Sequence, residues 1–421
     1  MSGPLIYNIF PLLAGKTDQW IKWADHARRM GFEWVYFNPV QNPGFSGSLY
    51  SIKDYYSINP LFLLNNEETG YEEVELAFRE IRQMGLRIMV DLVINHTAID
   101  SPLVQAHPSW YKQNEEGEIE HPSAIDPADS RNVTVWGDLY EIDNDESPDR
   151  EALWRYWTDF VLHMVRLGVQ GFRCDAAYKV PALLWARLIK AANEETDNTV
   201  LFFAETLGCR LEEVALLKEA GFNYLYNSSK YWNFDSSWAI DQHEVFQQVA
   251  PSVSFPESHD TERLFISATE KEQVMKQRIA FTGAFSEGMQ ITMGMEYGWN
   301  KSCDVVTSRP GHQEAPSVNL VEFLHRFNTV RKRVPVLNEE GSFDPHVEFH
   351  KETIVLHKRS LHGDEGVFVI INKNWDQTQW VDLPFALYVL RVFHSGECSE
   401  HPLEGLQLEP AEVVFGFLKR V

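Results

Sequence analysis

Residues 71–96 read YEEVELAFREIRQMGLRIMVDLVINH. In the first half, Val74, Ala77, Phe78 and Ile81 recur at three- and four-residue spacing, which predicts an amphipathic helix with that stripe turned inward. Met84-Gly85 then closes the helix, because glycine supplies the left-handed terminal residue at little steric cost. The apolar run RIMVDLV at 87–93 follows at once and reads as a strand, and the polar Asn95-His96 comes only after its end. Such a unit predicts a parallel sheet sheathed by helices, with chemistry at the carboxyl ends of the strands.

The same unit recurs outward along the chain. Apolar β-rich runs stand at 5–10 (LIYNIF), 34–38 (WVYFN), 170–174 (QGFRC), 200–204 (VLFFA), 223–226 (NYLY), 252–256 (SVSFP) and 289–293 (MQITM). Helical stripes lie between them, with Trp20, Ala24 and Ala27 before Met30-Gly31, and Leu153, Trp157, Phe160, Val161 and Met164 before the fourth strand. With RIMVDLV the runs number eight, which suits a closed (β/α)8 TIM barrel over residues 1–333. Residues 97–150, rich in Pro, Asp, Asn and Glu, interrupt the rhythm after the third strand without a convincing helix. A long irregular segment inside a compact domain is usually functional, and here it is expected to form a small subdomain over the barrel mouth. Beyond Arg333 the runs TIVLHKRS, GVFVIINK, YVLRVFH and EVVFGFLKR predict an all-β C-terminal domain, a sandwich over 334–421. The chain holds no internal repeat or low-complexity tract.

Composition narrows the function. A chain of 421 residues, 44% of them hydrophobic, can bury one large core and still build a smaller second domain. Net charge is −24, with no long basic stripe, so long-range repulsion opposes nucleic acid as a partner. Neutral sugars feel no such field, and the 13 Trp, 15 Tyr and 26 Phe offer flat faces for sugar rings beyond what packing demands. Cys174, Cys209, Cys303 and Cys398 are scattered and form no CxxC pair, which favours reduced thiols. No apolar run is long enough to span a membrane, and MSGPLIYNIFPLL does not resemble a signal peptide. A cytoplasmic location is expected, and protein partners are left open.

Four strand ends carry the chemistry. The third gives Asp91, Asn95 and His96; the fourth gives Arg173 and Asp175, which alternation turns to one face. The fifth delivers Glu205 after VLFFA, and the seventh is followed by Phe255-Pro-Glu257-Ser-His259-Asp260-Thr-Glu-Arg263. Three acids, Asp175, Glu205 and Asp260, therefore reach one rim, an arrangement that suits either a divalent metal site or glycosyl transfer. The neighbours favour sugars. Arg173 beside Asp175 favours a charged nucleophile, while Glu205, leaving an apolar strand, is placed to hold a proton near neutrality. Asp260 is free to stabilise an oxocarbenium-like transition state or to hold sugar hydroxyls.

DLVINH, GFRCDAAYK, FFAET and FPESHD resemble, in order and on the right strands, the four signature segments of the α-amylase family, glycoside hydrolase family thirteen. The resemblance covers essentially the whole chain. It implies a retaining enzyme acting on α-1,4-linked glucose chains, with Asp175 as nucleophile, Glu205 as general acid and then base, and Asp260 as transition-state stabiliser. His96 and His259 would hydrogen-bond the sugar being cleaved, Arg173 would orient the nucleophile, and Asp91 would brace Arg173. Tyr50, four residues before Asp54, matches the family's stacking tyrosine; Asp54 and Arg263 are supporting candidates. GMEYG at 294–298 is similar to the eighth-strand motif.

The chain also departs from the family pattern. Lys179, the substrate-binding candidate after the nucleophile, lies one position later than the family's lysine and has no following histidine. Asn95 corresponds to a calcium ligand in calcium-binding members, but the short insertion argues against a full cage, so no cofactor is expected to be required. The segment around HPSWYKQNEEGEIEHPS and WGDLYEIDN looks like the insertion of the family's maltosyltransferases. Transglycosylation with the same triad is therefore the alternative, and a non-catalytic amylase-like binding or partner protein is the second.

Overall fold

The computed structural model describes residues 3–65, 69–126, 129–196, 199–233, 237–345, 351–361 and 366–421. Strands β1 (Leu5–Ile9), β2 (Trp34–Phe37), β3 (Arg87–Leu92), β4 (Gly171–Cys174), β5 (Leu201–Ala204), β6 (Tyr224–Tyr226), β7 (Ser252–Ser254) and β8 (Gly288–Thr292) pair in sequence order. The cylinder closes where Leu5 of β1 lies in parallel register with Met289 of β8. Each strand is followed by a helix: α1 (Thr17–Arg29), α2 (Tyr71–Gln83), α3 (Arg150–Arg166), α4 (Ala182–Thr196), α5 (Leu211–Leu216), α6 (Trp238–Phe246), α7 (Glu272–Phe285) and α8 (Val321–Arg333). The expected (β/α)8 barrel is the observed one.

Two apolar layers hold it. Outside the cylinder, Trp20 of α1 packs between Phe37, Phe62 and Phe78, with ring centroids at 4.9, 5.6 and 6.5 Å. Inside, Ile6, Trp34, Met89, Phe203, Val253 and Phe255 fill the barrel. Gly171 opens β4 because the Trp34 ring leaves no room there, a Cβ at that position lying 2.8 Å from Trp34 Cζ3. Above this plug the interior turns polar, and Arg173 of β4 stands opposite Asp91 of β3.

The insertion after β3 is built from short pairings. His96–Ala98 pairs with Leu139–Glu141, and Ser123–Asp126 with Asp129–Val135. Where no helix was expected, Pro102–Ala106 forms one of five residues, its first turn capped by Ser101. Pro at the first helical position and a serine cap suffice for so short a turn. C-terminal to the barrel, β9 (Phe343–Pro345), β10 (Thr353–Arg359), β11 (Gly366–Asn372), β12 (Gln379–Leu390), β13 (Leu403–Leu408) and β14 (Val413–Phe417) make one antiparallel sheet in the order β9-β10-β11-β14-β12-β13. Val381 and Leu406, from its far end, share an apolar cluster with Val355, Phe368 and Val414. The sheet is sewn to the barrel: Phe327 of α8 meets Phe415 at 6.3 Å, and the amide of Gln277 on α7 donates to the Asn372 carbonyl at 2.5 Å. Among the described residues no helix is long and apolar enough to cross a membrane, and the four cysteines are free thiols.

Candidate active site

At the carboxyl end of the barrel, backbone pairing runs one residue past the strands. Asp175 N donates to Leu92 O at 3.1 Å and Glu205 N to Cys174 O at 3.0 Å, so both acids emerge side by side just above the cylinder. The chain then swerves, with Ala176 at φ 40°, ψ 50°, a left-handed conformation that a non-glycine residue adopts only where its surroundings enforce it.

Arg173 is the hub. Its guanidinium donates to Asp91 Oδ1 at 3.0 Å and Asp175 Oδ1 at 2.7 Å, and stands 4.0 Å from Glu205 Oε2 and 3.8 Å from Asp260 Oδ2. The three acids that the strand pattern singled out therefore converge around one cation. Burial works against the charge on Arg173, but Asp91 and its neighbours more than offset it, so the guanidinium is held more firmly protonated than usual. Asp91 is itself fixed from behind by the hydroxyls of Tyr36 at 2.5 Å and Tyr50 at 2.6 Å.

Glu205 is different in kind. Its oxygens accept from the backbone N–H groups of Ala176 at 3.0 Å and Leu207 at 2.6 Å. Burial nevertheless pushes its carboxyl up to about 7, Arg173 pulling it down and the charges of Asp175 and Asp260 pushing it up. His259 goes the other way: burial, reinforced by Arg173, brings it down to about 3, so the ring is neutral. Its Nε2 lies 3.0 Å from Asp260 Oδ2 and 2.7 Å from the Tyr50 hydroxyl, and the Tyr50 ring stacks on it at 5.5 Å, 4° from parallel.

Tyr50, Asp175, Glu205 and Asp260 line a cleft of 460 Å³ that also takes in His96, Lys179 and Asn95, while Arg173 and His259 face a small pocket that shares Glu205 and Asp260 with it. His96 Nε2 contacts the Tyr50 carbonyl at 3.0 Å, tying the third strand end to the segment after β2. Trp136, Asp138 and Tyr178 complete the wall; the strand pattern did not single them out. Their signal was faint, since the position of Trp136 depends on how the insertion pairs with itself. Two supporting candidates fall elsewhere. Asp54 does not reach the cleft: its carboxylate accepts from Tyr56 N at 2.9 Å and Ser57 Oγ at 2.7 Å, a local turn within strand Ile52–Ile58. Its four-residue spacing from Tyr50 carried no information on direction. Arg263 is fully buried behind the rim, paired with Glu257 at 2.9 Å and donating to the Met293 carbonyl at 2.8 Å. It clasps the loop that bears His259 and Asp260. In GMEYG, Glu296 accepts from the Tyr7 hydroxyl at 2.7 Å and from Gly294 N at 3.0 Å, which is a structural role.

Asn95 Oδ1 is buried without a partner among the described residues. Calcium takes roughly six to eight oxygens, and no group of three His, Cys, Asp or Glu among the described residues is arranged to hold a metal ion.

Residues 5–116 match the family model described as glycogen debranching enzyme, glucanotransferase domain. The chain is 24% identical, over 83% of its length and 55% of the relative's, to an α-1,4-glucan:maltose-1-phosphate maltosyltransferase of Myxococcus xanthus. It is 23% identical, over 85% of its length and 62% of the relative's, to an intracellular maltogenic amylase of Bacillus subtilis. The chain thus spans a little over half the length of these two curated relatives. In three dimensions it superposes on an α-amylase from Lactobacillus plantarum with a TM-score of 0.78, at 19% identity and 99% coverage of both chains.

Proposed function

We propose that the chain is a member of the α-amylase family, glycoside hydrolase family thirteen, a reading supported by its similarity to a glucanotransferase domain, a maltogenic amylase and an α-amylase fold, and that it is a retaining enzyme on α-1,4-linked glucose chains. Asp175 attacks the anomeric carbon while the proton of Glu205 passes to the departing glycosidic oxygen, leaving a β-glycosyl ester on Asp175. Glu205, now ionised, takes a proton from the incoming hydroxyl, whose oxygen displaces Asp175. Asp260 and His259 hold the ring that acquires positive charge between them, and Arg173 keeps Asp175 aimed. The observation that carries this reading is the division between the two acids. Asp175 lies on Arg173 at 2.7 Å, whereas Glu205, at the same rim, is raised to about 7 and so divides between acid and base near neutrality.

The incoming hydroxyl is water in our first reading. Transfer to a second sugar is the alternative, favoured by Trp136, whose 41% exposure at the cleft wall offers a face for an acceptor ring. The substrate is a neutral glucan: Asp138, Glu141, Asp175, Glu205 and Asp260 line the cleft against Lys179, which disfavours an anionic donor. No metal is required. We place the enzyme in the cytoplasm, supported by its free thiols and by the intracellular location in the Bacillus subtilis relative's name.

The test is incubation with one pure maltooligosaccharide and chromatography of the products. Only shorter chains mean hydrolysis, longer ones mean transfer, and Asp175→Asn abolishes both. Wild-type inactivity on a broad panel of α-glucosides would return the chain to a binding role.

A further inference from the structure

A second, larger groove of 930 Å³ lies on the flank of the barrel, between the segment after β1, α1 and the segment after β8. One wall is aromatic. Tyr297 stacks on His26 with ring centroids 5.5 Å apart and planes at 15°, and Trp23 meets the same imidazole edge-on at 5.5 Å. Both Trp23 and Tyr297 line the groove and are half-buried.

The rim is cationic: Lys16, Lys22 and Arg309 stand against Asp18. Lys16 Nζ has no partner among the described residues, and Lys22 Nζ donates to Gln19 Oε1 at 3.1 Å. Arg309 uses NH1 on the carbonyls of Val306 and Ser308, and its Nε and NH2 have no partner among the described residues. On a chain of net charge −24, three exposed cations gathered with one acid form an exception that repels itself and attracts an anion. A guanidinium and two ammonium groups suit phosphate oxygens, and the aromatic wall suits a sugar ring.

The groove also touches the catalytic cleft through one turn. Asp304 Oδ1 accepts from Val306 N at 2.8 Å and Thr307 N at 2.7 Å, folding 304–309 so that Arg309 faces the groove while Val305 and Val306 line the cleft. We propose that the flank groove is a second binding site, for a phosphorylated sugar, and that its occupancy bears on the cleft through the 304–309 turn. The phosphate sits among Lys16, Lys22 and Arg309, and the ring lies along Trp23 and Tyr297. Binding in this groove does not require the reaction assigned to the cleft.

Calorimetric titration of α-D-glucose 1-phosphate into the full chain tests it, using Asp175→Asn with the cleft saturated by a maltooligosaccharide. Saturable binding is expected, weaker by at least about tenfold for glucose without phosphate and lost in K16Q/K22Q. Absent heat, equal heat from glucose, heat unchanged in K16Q/K22Q or heat erased by the maltooligosaccharide would each overturn the site. With the groove filled, KM for a maltooligosaccharide is expected to shift at least about twofold in the wild type and to stay put in K16Q/K22Q. An unmoved wild-type KM overturns the link to the cleft. Because binding is read without turnover, failure of the proposed reaction leaves this result interpretable.

Discussion

Glu205 carries a cost that its replacement should reveal. Its folded carboxyl titrates near 7, against an ordinary value of 4.5. The stabilisation of the protonated form is therefore fully present below pH 4.5 and is lost as pH rises to about 7. A difference of this size corresponds to about 3 kcal/mol. Glu205→Gln, which cannot ionise, should match the wild type in urea unfolding at pH 4 and exceed it by up to about 3 kcal/mol at pH 8, while losing at least roughly 10³-fold in kcat. Wild-type kcat/KM should fall on the alkaline side with an apparent pKa of about 7, because the acid must be protonated for the first step. Chelation with EDTA should leave activity unchanged, since no three His, Cys, Asp or Glu side chains among the described residues are grouped to hold a metal ion. At this scale the sequence was most legible where a charge follows an apolar run: Asp175, Glu205 and Asp260 have nowhere to go but the rim. Asp54 misled because it sits inside a short strand of mixed polarity, where spacing does not say which way a side chain turns. Trp136 and Tyr178 stayed hidden because contacts distant in sequence decide their exposure.

Elements hold these residues in place by their ends. The loop from Phe255 to Leu264 carries His259 and Asp260, and a buried ion pair shuts it: Arg263 NH1 to Glu257 Oε1 at 2.9 Å, with Glu257 Oε2 accepting from Leu264 N at 2.5 Å. Glu257→Ala leaves Arg263 charged, buried and unpaired, so unfolding in urea should show a loss of roughly 3–5 kcal/mol. The loop it releases should lower kcat as well. The eight barrel strands were legible within a residue or two, since most are short runs rich in β-branched and aromatic residues that alternate with helical stripes. The insertion was not, because the pairings His96–Ala98 with Leu139–Glu141 and Ser123–Asp126 with Asp129–Val135 join short segments whose own pattern names no partner.

Over the whole molecule, barrel and C-terminal sheet share a seam rather than a hinge. Phe323 meets Phe393 at 5.7 Å, Phe327 meets Phe415, and the buried amine of Lys358 donates to the Ala284 carbonyl at 2.9 Å. Calorimetry should therefore find one unfolding transition for the full chain, and a version ending at Arg333 should be insoluble or melt at least roughly 10 °C lower. The closure of the cylinder bears on how the protein is made. Leu5 finds its neighbour only when Met289 has been synthesised, and ribosomes add roughly 5–20 residues per second. For something like 15–60 seconds the nascent first strand has an unsatisfied edge, so the ring cannot lock during most of translation. Chaperone shielding of that edge, rather than the speed of any single pairing, should then limit the yield of folded protein in the cell.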